Sequence, residues 1–242
     1  GIQDRVSCLI PEIMTEGFAE TETGALSLGS ADPIALLAVN KDAIGLGSGL
    51  TTHPETMEVV YELIRRLKIP TVIDADALNA VAQDTDLLLT QDKPPLVLTP
   101  HPGEFARLSG LDRKVILDDP IGTASSFAEE FQVWVVLKDF RTVIAAPNGS
   151  VVVSPFGNPG MATAGMGDVL TGILTSVLGQ YSAAGLLTDQ RGVTEAVCLG
   201  VGLHGIAGDI ASLEMGYESL VAGDVIDSLP EAYEYLEEAE WQ

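Results

Sequence analysis

The feature that most constrains this chain is a repeated alternation of short apolar, β-branched runs with amphipathic helical stretches. Asp42-Ala43-Ile44-Gly45-Leu46 leads into Gly47-Ser48-Gly49, after which Met57, Val60, Leu63, Ile64 and Leu67 recur at helical spacing. Arg65, Arg66 and Lys68 gather toward the C-terminal end of that stretch, where cations suit the helix dipole, and Pro70 stops it. Thr71-Val72-Ile73, Leu96-Val97-Leu98 and Trp134-Val135-Val136-Leu137 repeat the pattern. Near-continuous apolar strands separated by helices predict a mostly parallel α/β sheet with helices on both faces. Two further β runs, residues 142–146 and 150–153, flank Pro147-Asn148-Gly149. Asn-Gly between two such runs predicts an antiparallel hairpin at the border of the sheet. The rest, from Gly157 on, reads as helices rich in Gly and Ala. With no linker and no solenoid-period repeat, one domain is expected over residues 1–242.

Composition narrows the function classes. A hydrophobic share of 46% against 19% charged excludes a disordered tail or a collagen-like fibre. Thirty-five acidic against twelve basic residues give a formal charge of -23. Such a field repels a polyanion, so no nucleic-acid partner is expected. A polyphosphate ligand would need backbone N–H groups and a few placed cations. Cys8 and Cys198 stand alone, outside any CxxC or zinc spacing, which points to a reducing, cytoplasmic setting. No basic-then-apolar leader and no uninterrupted apolar run of spanning length is read, so no membrane partner is expected. The first residue is Gly rather than Met, consistent with a fragment or processed product.

In an open parallel sheet, ligands bind beyond the carboxyl ends of the strands. Polar clusters follow each run at that point: Gly47-Ser48-Gly49, then Asp74, Asp76 and Asn79, then His101 and Glu104, then Lys138. Four successive strand ends thus aim polar groups at one crevice. Residues 157–168 form a Gly-rich segment leading into the apolar stripe of Val169, Leu170, Ile173, Leu174, Val177 and Leu178. Glycines there let a backbone approach a ligand, and first-turn N–H groups favour an anion. Asp168 is a candidate base on a substrate hydroxyl beside that anion, and Asn158 and Gly165 are candidates to support the anion turn. The plainer alternative is that Thr163 or Asp168 caps the helix. Asp74 and Asp76 divide evenly between a ligand role and capping a helix that begins near Ala77. His101, between two prolines, either meets a ligand or ties its loop together. Lys138 either neutralises phosphate or snorkels from a strand end. His204 reads as a hydrogen-bonded structural histidine, and His53 is assigned nothing. No metal-ligand spacing is present.

Three stretches now carry a resemblance: GNPGMATAGMGDVLTGIL (157–174), VLTPHPGE (97–104) and VIDADALN (72–79). With the weaker IGLGSGL (44–50), VVLKDFRTVIA (135–145) and LHGIAGD (203–209), they resemble the ADP/ATP-dependent NAD(P)H-hydrate dehydratase family, from about Ile44 to Leu229. The resemblance implies a ribokinase-like three-layer fold and a lyase that restores hydrated NADH or NADPH at the expense of ADP or ATP with Mg²⁺. It further implies Asp168 as catalytic base, with Gly49, His101 and Asp168 on the hydrated dinucleotide. Lys138, Asp139, Phe140, Arg141, Thr142 and Gly167 would hold the adenine nucleotide. A homo-oligomer is implied as well. The sequence departs from the family at Asp139, where Gly is usual and where a carboxylate repels phosphate unless it faces solvent. Ala164 also replaces a usual Gly. No counterpart of the family's opening strand–helix unit is recognised, so the domain is expected to lack it. Alternatives are another ribokinase-like small-molecule kinase, of the hydroxyethylthiazole or hydroxymethylpyrimidine type, or an inactive nucleotide-binding module.

Overall fold

The computed structural model describes residues 2–10, 12–89 and 92–239. Two helices, α1 (Ile2–Leu9) and α2 (Ala31–Ala38), precede the first strand. Then strand and helix alternate as the periodicity predicts: β1 (Ile44–Leu46), α3 (Pro54–Arg66), β2 (Thr71–Ile73), α4 (Ala75–Val81) and β3 (Leu96–Leu98). Three short helices, α5 (Pro102–Ser109), α6 (Arg113–Asp118) and α7 (Pro120–Phe131), lead to β4 (Trp134–Leu137). The hairpin follows as β5 (Val143–Ala145) and β6 (Val151–Val153), and the chain finishes in α8 (Met166–Ala183), α9 (Gln190–Met215), α10 (Ala222–Asp227) and α11 (Leu229–Ala239).

All six strands lie in one sheet in sequence order. β1 to β4 are parallel, with Gly45 opposite Val72 and Val72 opposite Val97, whereas β5 and β6 run antiparallel, Val135 facing Ala145 and Ala145 facing Val151. Residues alternate between two buried layers. Ile73, Leu96, Leu98, Val135, Leu137 and Val143 join side chains of α2 to α7 on one face. Val72, Val97, Trp134, Val136 and Ile144 pack on the other against α8 and α9. Burial on both faces is why the runs are apolar without a polar beat.

α9 is long and apolar enough to cross a membrane by length and composition, although Glu195, His204 and Asp209 interrupt its apolar run. Its Val193, Ala196, Val197, Val201, Leu203 and Ile206 are buried in the layer that packs on the sheet.

The four parallel strands put all their carboxyl ends along one edge. The turn after β1 fits there only because residue 47 is Gly: its φ is +139°, and a Cβ would stand 1.8 Å from the Asp74 carbonyl oxygen. A side chain at that point must displace backbone. At Gly202, inside α9, an added Cβ would meet nothing within 4 Å. We expect Gly47→Ala to lower unfolding free energy by about 3 kcal/mol, the scale of overpacking against rigid backbone, whereas Gly202→Ala raises it by roughly 0.5–1 kcal/mol through helix propensity. Denaturant melts of both variants check this. Equal effects would contradict the close approach.

Candidate active site

The site begins with a carboxylate that does not do what its position suggests. Asp74 ends β2 and stands at the N-cap of α4, yet it makes no side-chain capping bond. The helix starts at Ala75 rather than near Ala77. Ala75 takes φ +46°, a left-handed conformation that costs a non-glycine residue about 1 kcal/mol. With the chain turned this way, Asp74 is 2% exposed and faces inward. Its Oδ1 accepts a 2.7 Å bond from Lys138 Nζ at the end of β4, and its Oδ2 a 2.8 Å bond from Thr171 Oγ1 in α8. One carboxylate thereby ties two strand ends to α8. Asp76 also serves tertiary structure: it accepts the Thr51 N–H at 2.8 Å and receives the Asn79 amide, whose oxygen accepts from Arg107.

Lys138 lies against the start of α8. The N-cap is Gly165, at φ +85°, and no side chain caps the helix. Neither Thr163 nor Asp168 therefore fills the capping role. The first-turn N–H groups have no intrahelical acceptors, and they carry the positive end of the dipole of an 18-residue helix. A Cβ on Gly167 would come within 3.3 Å of Lys138 Nζ and 3.6 Å of Asp74 Oδ2. An ammonium and a bare helix N-terminus thus share one corner, a ready place for phosphate.

That corner opens into a cleft of about 530 Å³, lined by His101, Lys138, Asp139, Phe140, Thr142, Asn158 and Gly167 among others. Most of the sequence-derived nucleotide residues therefore meet here. Asp139 is exposed, and its Oδ1 accepts the Phe140 N–H at 2.8 Å. Arg141 does not line the cleft: it donates to the Pro155 carbonyl at 2.8 Å and lies over the Phe140 ring at 5.4 Å. Asn158 is committed to tying its loop to α9, accepting from Gly160 N–H and donating to the Gly208 carbonyl and Asp209 Oδ1.

The three expected dinucleotide contacts border different depressions. His101 is on the cleft, Gly49 is on a groove formed with residues 15–26, and Asp168 is on a groove of about 420 Å³ with Ile173, Ile226, Leu229 and Tyr233. Asp168 is exposed in the first turn of α8. His101 does tie its loop: Nδ1 accepts from the Gly103 and Glu104 N–H groups, and Glu104 Oε2 accepts from the His101 N–H, a complete capping box on α5. Its Nε2 lies 3.6 Å from Glu104 Oε2, and the side chain as a whole is half exposed, so capping and contact are compatible.

Sequence reasoning missed Thr171, the apolar floor of Met166, Leu170 and Val201, and the cap that His53 Nδ1 supplies to α3 through the Glu55 N–H. It also placed His204 wrongly in part. One ring nitrogen, Nε2, is buried without any partner, and the residue lines the cleft.

The mostly parallel sheet between helical layers is that of an α/β protein of the ribokinase-like fold, with a lysine and an uncapped helix at its carboxyl edge, a geometry suited to an anion. Residues 5–231 match the family described as NAD(P)H-hydrate dehydratase, and the chain belongs to that family. The match reaches well before Ile44, where the recognised motifs begin. A bifunctional NAD(P)H-hydrate repair enzyme of Moorella thermoacetica is 46% identical over 238 residues, covering 98% of this chain and 43% of that protein. The chain thus spans less than half of that relative's length. An ADP-dependent (S)-NAD(P)H-hydrate dehydratase of Neisseria meningitidis is 34% identical over 219 residues, 89% of this chain and 69% of that one. An ADP/ATP-dependent NAD(P)H-hydrate dehydratase from Bacillus subtilis, co-crystallised with ATP/Mg²⁺ and soaked with CoA, superposes with TM-score 0.77 at 27% identity. That superposition covers 96% of this chain and 77% of that one.

Removing the Asp74 charge leaves Lys138 and Thr171 without their shared acceptor. We expect Asp74→Asn to cost about 3 kcal/mol, as for breaking a buried pair from one side. Thr171→Val should cost about 1 kcal/mol, as for one hydrogen bond. Equilibrium unfolding of both variants reads the difference, and a change below 0.5 kcal/mol in Asp74→Asn (about the size of a neutral surface substitution) would contradict the arrangement.

Proposed function

We propose that this chain is an ADP-dependent (S)-NAD(P)H-hydrate dehydratase, a hydro-lyase that restores NADH or NADPH from its hydrate. The observation that carries the reading is the uncapped N-terminus of α8, with Lys138 packed against Gly167 on one side and the exposed Asp168 carboxylate on the other. Phosphoryl transfer asks little covalent chemistry of a protein: it needs phosphate held, charge neutralised and a base beside the nucleophile. The first-turn N–H groups and Lys138 supply the first two, and Asp168 the third.

In this reading the substrate hydroxyl, on the hydrated ring carbon, gives its proton to Asp168 while its oxygen bonds to the terminal phosphorus of ADP. The bond from that phosphorus to the bridging oxygen breaks and AMP leaves. The ring nitrogen then expels phosphate, and loss of the neighbouring proton restores the double bond. Gly167 and residues Lys138, Asp139, Phe140 and Thr142 face the nucleotide, whereas His101 Nε2 and Gly49 face the hydrate. A dinucleotide is long enough to touch more than one of the depressions around the carboxyl edge. ADP is preferred over ATP on the strength of the Neisseria relative's name.

Mg²⁺ is part of the proposal through the nucleotide. Among the described residues no three His, Cys, Asp or Glu side chains group to hold a metal, so the ion would arrive on the phosphates with its waters, as Mg²⁺ commonly does. A cytoplasmic homo-oligomer completes the reading, and the family's opening strand–helix unit is proposed to lie outside this domain.

The test is turnover of the chemically hydrated dinucleotide with ADP, followed by absorbance of the reduced ring. Asp168→Asn should lose on the order of 100- to 10,000-fold in kcat, the range for a lost general base, with nucleotide affinity within about twofold. Near-normal turnover in that variant would remove Asp168 from the chemistry. Absence of turnover in the parent chain with either ADP or ATP would remove the activity.

A further inference from the structure

Among the described residues one buried side-chain polar atom has no hydrogen-bond partner, and it is His204 Nε2. Such an atom costs about 1–3 kcal/mol when sealed off, so its position calls for a reason. His204 projects from α9 into the lining of the 530 Å³ cleft, beside Met166, Leu170, Val201 and Phe156 and across from Lys138.

The protonation state follows from the surroundings. Burial, opposed by a hydrogen bond to the Met166 backbone and helped slightly by the nearby Lys138 charge, takes the imidazole down to about 4. A backbone contact that favours the charged ring is one the ring donates, so the Met166 carbonyl takes the Nδ1 hydrogen. The neutral tautomer then leaves a lone pair on Nε2. His204 therefore sets an acceptor among the apolar side chains of this part of the cleft wall.

Apolar side chains of Met166, Leu170, Val201 and Phe156 around an acceptor suit an aromatic ring bearing an N–H donor. We propose that His204 Nε2 accepts a hydrogen bond from the exocyclic amino group of adenine, making His204 the residue that selects adenine nucleotides over 6-oxo purines. The inference rests on the reading above, in which this cleft takes an adenine nucleotide. A 6-oxo group in the same place sets lone pair against lone pair and leaves both groups unpaired, the arrangement that discriminates most sharply in a polar site.

The test compares ADP with IDP, which differ at that position, by calorimetric titration of the parent chain, His204→Phe and His204→Gln. The parent should bind ADP at least tenfold more tightly than IDP. His204→Phe should weaken ADP by roughly 5- to 50-fold, the loss expected for an unpaired buried donor, and leave IDP within about twofold. His204→Gln, which keeps an acceptor, should retain part of the preference. A second readout needs no variant: the Nε2 nitrogen resonance of His204 should move on adding ADP and stay in place on adding IDP. An unchanged ADP-to-IDP ratio in His204→Phe, or equal losses on both, assigns the residue to packing or to the sugar and overturns the inference. If the parent binds the two equally while still turning over the hydrate with ADP, this inference fails and the proposed function stands. If it binds neither, both fail together.

Discussion

The Asp74 carboxylate is the constraint on which the rest of the carboxyl edge depends. It is almost wholly buried, it pairs with the Lys138 ammonium, and it holds Thr171 in α8. Removing two charges from water is costly, and a buried pair repays that cost only when the remaining acceptor sites are filled. Here the second oxygen is filled by a helix hydroxyl, so the pair does more than attract: it fixes the start of α8 relative to β2 and β4. The backbone follows suit. Gly47 lets the first turn close over the Asp74 carbonyl, and Ala75 accepts a left-handed conformation so that the carboxylate points inward.

The chain's charge of -23 sharpens what this corner must do. A strongly acidic protein repels phosphate at long range, although screening limits that field to about 8–10 Å at moderate salt. Local donors then decide. The first turn of α8 and one ammonium face the cleft, Arg141 is turned away to the Pro155 carbonyl, and Asp139 binds its own backbone at the rim. In the proposed function, phosphate affinity would fall to these few groups.

Much of this was legible in the sequence, for physical reasons. Strands buried on both faces must be apolar throughout, which is why β2 to β5 stood out, while Asn-Gly marked the hairpin. The Gly-rich entry to α8 was readable because a bare helix N-terminus needs room. What periodicity cannot give is the direction a polar side chain takes once packing is complete. Asp74 sits at an N-cap position yet bonds across the sheet, and His101 caps its helix with one nitrogen while the other lies 3.6 Å from Glu104 Oε2 on a half-exposed ring. Asp168, Gly49 and His101 fall in sequence near the same edge but border separate depressions. His204 looked like an ordinary packed histidine, since nothing in LHGIAGD says which ring nitrogen meets a partner.

In the proposed function, Lys138, held by Asp74 against α8, supplies the charge that binds nucleotide phosphate. Calorimetric affinity of Lys138→Met for ADP and for adenosine, beside the parent chain, tests it most directly, with circular dichroism confirming the fold. The account predicts at least a tenfold loss for ADP, about 1.4 kcal/mol, and no more than a twofold change for adenosine. Equal changes for the two ligands, or undiminished ADP binding, would contradict it.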